Sequence, residues 1–143
     1  MSFIKMNSIK ILTGVIGNDI HVVANRILEK GLIQQGFKVC NLGVSVTPKM
    51  FIDAAIEYVP DAILIGSING EAINWVKQIR ADLDCSELKK IKLYIGGNLS
   101  MGDKSKADLE KIFSCYGFDR VYHRPESLDE IVIDLKSDFG ILS

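Results

Sequence analysis

At 143 residues and 15.9 kDa the chain fits a single domain spanning residues 1–143, long enough to bury roughly two-thirds of the surface its unfolded form exposes. A hydrophobic content of 48% with 24% charged residues is ordinary globular composition, and a net charge of −1 gives no electrostatic footprint for nucleic acid or an anionic membrane as partner. No apolar run approaches the roughly 20 residues of a membrane span, and residues 1–5 lack the apolar core of a secretion signal, so the chain reads as cytoplasmic.

In chain order, residues 9–16 form a short apolar run bounded by glycine, as expected of a strand covered on both faces. Ile20, Val23, Ala24, Ile27, Leu28, Gly31 and Leu32 then repeat at helical spacing, and Gly36 supplies a stop. Residues 38–43 read as a second strand. Thr47 and Pro48 read as an N-cap and the first residue of a helix whose apolar face is Phe51, Ile52, Ala55 and Ile56. Residues 61–67 are a third strand ending in a small-residue turn over 67–70, and Ala72, Val76, Ile79 and Leu83 predict a third helix. Residues 91–98 form a fourth strand that runs into Gly96 and Gly97, where a backbone can approach a ligand with no Cβ in the way. Leu109, Ile112 and Phe113 mark the next helix and 117–122 a fifth strand. Ser127 and Glu130 have the spacing of a capping box opening a last helix.

Five strands alternating with five helices argue an α/β, doubly wound parallel sheet with helices on both faces; at this length the flavodoxin-like (Rossmann-like) order 2-1-3-4-5 is expected. That topology brings the turns at 17–21, 66–70 and 96–98 together at the carboxyl end of the sheet. In the first, Asp19 and His21 stand two residues apart, next to the start of a helix. His21 is a candidate metal ligand, and Asp19 the carboxylate that orients it through the other ring nitrogen, provided the turn folds Asp19 back. The common nucleotide fingerprints are absent: there is neither G-x-G-x-x-G nor G-x-x-x-x-G-K-[ST], and no acidic cluster of the receiver type follows the first strand.

Other residues carry plainer readings. Cys40, Cys85 and Cys115 are odd in number and far apart, with no C-x-x-C pair; they read as reduced thiols used as small hydrophobes, Cys40 pointing into packing and not toward His21. Residues 123–125 are expected in an exposed loop. Trp75 is expected to pack or to line a rim, Tyr94 and Tyr122 to lie in the core, and Lys89, Lys90, Lys104 and Lys106 to be solvated.

The Asp19-x-His21 pair after a strand ending in Gly-Val-Ile-Gly, the 66–70 turn, the Gly96-Gly97-Asn98 turn and residues 117–122 together resemble the cobalamin-binding small subunit of glutamate mutase, also called methylaspartate mutase, an adenosylcobalamin-dependent isomerase. The resemblance covers essentially the whole chain. It implies adenosylcobalamin bound with its dimethylbenzimidazole displaced from cobalt and His21 as the lower axial ligand, with Asp19 hydrogen-bonded to the far nitrogen of His21. It further implies a cofactor-binding set of Asn18, Asp19, Ile20, His21, Ala24, Gly66, Ser67, Ile68, Gly70, Gly96 and Gly97, the displaced nucleotide tail lying in a slot lined by the third and fourth turns. The implied partner is a large barrel-type subunit that binds substrate, and the implied reaction a radical rearrangement of L-glutamate to threo-3-methylaspartate. This chain then supplies no acid or base of its own beyond the axial pair, and is inactive without its partner.

Two positions depart from the family pattern. Ala24 stands where D-x-H-x-x-G has glycine, and the S-x-L of the third turn falls on Gly66-Ser67-Ile68, so the serine that would hydrogen-bond the displaced base is replaced by Gly66; a shift of one residue would restore it at Ser67 but put Asn69 in place of leucine. They motivate two alternatives: a corrinoid-carrier module of another mutase or a methyltransferase, and a scaffold that has lost the cofactor and acts through protein contacts.

Overall fold

A computed structural model describes residues 9–18, 21–100, 102, 104–125 and 127–141. Its elements are β1 (Lys10–Val15), α1 (Val22–Gln34), β2 (Lys38–Asn41), α2 (Pro48–Tyr58), β3 (Ala62–Ser67), a 3-10 turn (Ala72–Asn74), α3 (Ile79–Cys85), β4 (Lys92–Gly97), α4 (Lys106–Cys115), β5 (Arg120–His123) and α5 (Asp129–Asp138). The strands form one sheet in the order β2-β1-β3-β4-β5, and every pairing is parallel. This is the doubly wound order expected from the alternation of apolar runs.

Alternation along the strands sorts side chains onto two faces. Leu12, Ile63, Ile65, Leu93 and Ile95 pack under Phe51 and Ala55 of α2, Ile79 and Leu83 of α3, and Leu109 and Phe113 of α4. Ile11, Leu64, Tyr94 and Tyr122 pack on the other face, under Leu32 of α1 and Ile131, Val132 and Leu135 of α5. Thr47 caps α2 as its residue type predicts: its hydroxyl accepts the Met50 N–H at 3.1 Å, with Pro48 in the first turn. Ile56, assigned to the apolar face of α2, is 52% exposed instead, because α2 meets the sheet along Phe51 and Ala55.

The third helix is shorter than its apolar spacing predicts. Ala72, Val76, Ile79 and Leu83 are all buried, but the chain from Ala72 to Val76 closes with i to i+3 bonds, Trp75 N–H to Ala72 O at 2.9 Å and Ile79 N–H to Val76 O at 3.4 Å, and regular helix begins only at Ile79. The tighter winding seats the half-buried Trp75 indole against Gly17, where a Cβ would come within 2.5 Å of its Nε1. Gly17 has φ +80°, so this turn requires glycine on two counts. Trp75 thus packs, as expected.

The amino-terminal half of α1 departs from its expected burial. Leu32 is buried and Leu28 half-buried, but Val23 and Ile27 are 69% and 61% exposed and Ala24 is exposed too. Only the carboxyl half of α1 lies on the sheet, and the other half stands over an opening. Gly31, counted in the apolar repeat, is where α1 meets the start of α5: a Cβ there would run into Leu128. The capping box expected at Ser127 is not formed. Leu128 is the residue before α5, in helical conformation, and Ser127 Oγ accepts instead from the Asp129 N–H at 3.2 Å.

His123 is not in an exposed loop. It ends β5, is buried, and its Nδ1 accepts the Leu99 N–H at 3.2 Å. Burial, with Arg124 and Lys106 nearby, holds its pKa below the usual histidine value, so it stays neutral at pH 7. Arg124 beside it is exposed and bonded through its guanidinium to Asn98 Oδ1 and Ser100 O, 3.2 Å each. Of the cysteines only Cys40 packs on the core; Cys85 and Cys115 are exposed, and all three are free thiols. Among the described residues no helix is long and apolar enough to cross a membrane.

Candidate functional site

The carboxyl ends of β1, β3 and β4 open into a slot of about 310 Å³ between the sheet, α1 and α5. Thr13, Val15, Leu64, Gly66 and Gly96 form its floor, Ala24, Asn25, Ile27 and Leu28 of α1 one wall, and Leu128 and Ile131 the other. The volume is at the small end of ligand pockets, of the order that takes one flat heterocycle with its sugar. The lining is aliphatic and glycyl for the most part.

The floor exists because two adjacent strands omit side chains at one level. Gly66 and Gly96 are register partners, and both fall on the α1/α5 face by alternation with Leu64 and Tyr94. A Cβ built on Gly66 meets nothing nearer than Gly14 O at 3.5 Å and Val15 Cγ2 at 3.6 Å, so the space above it belongs to the slot. Gly97 is obligatory for another reason: at φ +115° a Cβ would strike the Ser67 carbonyl.

Hydrogen bonds lace the turns that edge the slot. Asn98 N–H donates to Ser67 O at 2.7 Å, Asn98 Nδ2 to Ile68 O at 3.1 Å, and Arg124 N–H to Gly97 O at 2.7 Å. Ser67 Oγ donates to Asn98 O at 3.1 Å, and the residue is buried within this lacing. Its hydroxyl is therefore engaged away from the slot, and a register shift that puts a serine at Ser67 puts none on the floor.

His21 is the residue before α1, in extended conformation at φ −77° and ψ 95°, exposed, and its side chain does not cap the helix. One helical turn separates it from Ala24 and Asn25 in the slot wall. Asp19 and Ile20 lie outside the described residues. Of the expected cofactor set, the structure brings Ala24, Gly66, Ile68, Gly96 and Gly97 to the slot. Asn18 and His21 lie in the turn before α1, and Ser67 and Gly70 are outside the lining.

Two features of the site went unseen in the sequence. Asn25, 4% exposed, faces the slot from α1 and accepts through Oδ1 from Asn41 Nδ2 at 2.8 Å. The wall formed by α5 is pinned by a polar network: Arg120 forks onto both Asp138 oxygens at 2.8 and 2.7 Å, Tyr94 OH donates to Asp138 Oδ2 at 2.7 Å, and Tyr122 OH donates to Asp134 Oδ2 at 2.8 Å. The Arg120 bonds hold the Asp138 carboxyl below its usual pKa, while burial and then the aspartate partners raise both tyrosines. Asp134 and Asp138 are four apart on one helix face, and Tyr94 pairs with Arg120 in register. That spacing was the only available signal.

Comparison with known proteins agrees with this geometry. Residues 9–118 match the B12 binding domain family. The chain is 40% identical over 131 residues to the glutamate mutase sigma subunit of Treponema denticola, covering 92% of this chain and 94% of that protein. It is 42% identical over 133 residues to the glutamate mutase sigma subunit of Fusobacterium nucleatum, covering 92% and 97%. Among solved structures it resembles a cobalamin-binding protein from Desulfitobacterium hafniense with a TM-score of 0.72 at 21% identity; the match covers 91% of this chain and 59% of that one, a likeness of fold. With identity at this level sustained over nearly the full length of both relatives, the chain belongs to the family of glutamate mutase sigma subunits and carries its B12 binding domain.

Proposed function

We propose that this chain is the cobalamin-carrying subunit of a glutamate-mutase-type carbon-skeleton isomerase, holding adenosylcobalamin with its dimethylbenzimidazole displaced and His21 as the lower axial ligand of cobalt. The reading rests on one observation above the others: an apolar slot with a side-chain-free floor opens along the same helix whose first turn follows His21. The space over Gly66, between the aliphatic walls of α1 and α5, is open to a flat base. An imidazole is a suitable nitrogen donor for cobalt. Asp19 is assigned to the far ring nitrogen of His21, where a carboxylate fixes the tautomer and raises ligand basicity.

When bound, the cofactor supplies the radical chemistry of the rearrangement. The residues of this chain would hold it: His21 would donate an imidazole nitrogen to cobalt, the glycine floor and α1 would receive the tail, and the Arg120 network keeps the α5 wall in place. Substrate binding belongs to a large barrel-type partner subunit, and the chain alone has no turnover.

The test is a titration of the purified chain with hydroxocobalamin and adenosylcobalamin, followed by electron paramagnetic resonance of the cobalt(II) form with ¹⁴N- and ¹⁵N-labelled protein. The expected result is saturable binding and a nitrogen splitting that changes with the protein label and disappears in His21→Ala. A splitting indifferent to the label overturns the His21 assignment.

A further inference from the structure

The polar side chains that line the slot spend their hydrogen bonds within the protein. Thr13 Oγ1 donates to Leu64 O at 2.8 Å, and the Tyr122 hydroxyl donates to Asp134 Oδ2 at 2.8 Å. The Asn25 carboxamide is tied to Asn41 through Oδ1, in a residue 4% exposed. Among the described residues every buried side-chain nitrogen and oxygen has a partner, so the slot holds no buried side-chain donor in reserve for a ligand. Ser127, the remaining polar residue of the lining, is exposed at the rim, where its Oγ accepts the Asp129 N–H at 3.2 Å. On the floor Gly66 and Gly96 present no side chain at all, and the neighbouring Ser67 hydroxyl donates to Asn98 O.

We infer that glycine at position 66 sets the specificity of the slot for the lower ring of its corrinoid: a flat ring with no in-plane acceptor, of the phenolic class, is taken at least as readily as a benzimidazole. This deepens the cobalamin reading above and rests on it. The direction follows from solvation. A ring nitrogen is hydrogen-bonded in water, and burying it among aliphatic side chains and glycines with no donor carries a penalty that a phenyl ring of similar area escapes. Gly66 is the determinant because the space above it belongs to the slot: a Cβ there meets nothing nearer than 3.5 Å, so a side chain at this position projects toward the ring. A serine in its place supplies the donor that the lining lacks, and with it selection for a ring nitrogen.

The experiment measures dissociation constants for cobalamin, whose displaced benzimidazole carries the ring nitrogen, and for p-cresolylcobamide, whose lower ring has none. The proteins are the wild type, Gly66→Ser and Gly66→Ala, and the quantity read is the ratio of the two constants, cobalamin over p-cresolylcobamide. Detaching the benzimidazole from cobalt weighs equally on all three proteins, so it cancels when their ratios are compared. The expected result is a ratio of one or more in the wild type, unchanged in Gly66→Ala and about two- to tenfold lower in Gly66→Ser, the range of one net hydrogen bond. A wild-type ratio below one overturns the inference and leaves the cobalamin reading intact. So does a ratio that serine does not lower, or one that alanine lowers as much as serine, which would make the effect one of shape. Failure of the wild type to bind either corrinoid overturns the inference together with the reading beneath it.

Discussion

Gly66→Ser is the substitution the slot geometry predicts most sharply. A Cβ at this position meets Gly14 O at 3.5 Å and Val15 Cγ2 at 3.6 Å, both ordinary contacts, and the backbone is not in the left-handed region. The strand therefore accepts a side chain without strain, and replacing glycine within a strand recovers up to about 0.5–1 kcal/mol of conformational entropy. The added hydroxyl projects from the floor beside the register partner Gly96, toward whatever base lies between α1 and α5.

One new hydrogen bond to the base is worth about 0.5–1.5 kcal/mol net, a two- to tenfold fall in the dissociation constant for hydroxocobalamin. A serine Oγ takes only a small part of a slot of about 310 Å³. The assay is the spectrophotometric titration, with thermal denaturation of the free protein in parallel. The expected outcome is a melting temperature equal to or above that of the wild type, with tighter binding. A folded variant that binds more weakly would refute the reasoning, because it would mean that the base rests directly on the glycine floor.

His21→Ala leaves the fold intact, since His21 is exposed and its side chain does not cap α1; the melting temperature measured by circular dichroism shifts by no more than about 4 °C, less than 1 kcal/mol in a chain of this size. Gly97→Ala behaves oppositely: with φ +115° and the Ser67 carbonyl in the way, it costs at least about 1–3 kcal/mol, read from chemical denaturation. Acid stability depends on Asp138. Its folded pKa is depressed by the Arg120 bonds, so its contribution is fully present above the unfolded carboxylate value of about 4 and is lost as pH falls through the lower folded value. Melting curves collected downward from pH 6 show this acid limb in the wild type and a shallower one in Asp138→Asn, whose neutral-pH stability is already lower.

The sheet was legible because β1, β3 and β4 are short apolar runs that end in or beside small residues, a signal that depends on local composition alone. The slot was partly legible for the same reason: Gly66, Gly96 and Gly97 are visible as small residues at strand ends, and topology brings those ends together. What escaped depends on partners distant in sequence. Asn25 reads as one more polar residue on a helix until Asn41, sixteen residues on, supplies the donor that allows it to be buried. His123 reads as loop until the Leu99 N–H meets its ring. The spacing of Ala72, Val76, Ile79 and Leu83 predicts which residues are buried, and all four are, yet it does not separate one continuous helix from a 3-10 turn followed by a helix. On α1 the apolar repeat is real, but the pattern does not say whether such a face meets a core or a cavity.

That ambiguity on α1 is informative in itself. Leaving Ile27 61% exposed in the slot wall forgoes burial that similar side chains gain elsewhere in the fold, about 1.5–3 kcal/mol when complete. The empty floor adds to this, because Gly66 and Gly96 sit in β3 and β4, two of the three interior strands, where a glycine has no side chain to pack. Both losses fall on the same few ångströms of the molecule, at the end of the sheet where this topology places ligands. Scattered at random over the surface they would be ordinary variation. Gathered around one slot, one helical turn from His21, they describe a site whose packing is completed by a ligand. The free chain is then expected to be less stable than the loaded one by the full linkage term, about 2.7 kcal/mol at a ligand concentration one hundred times the dissociation constant.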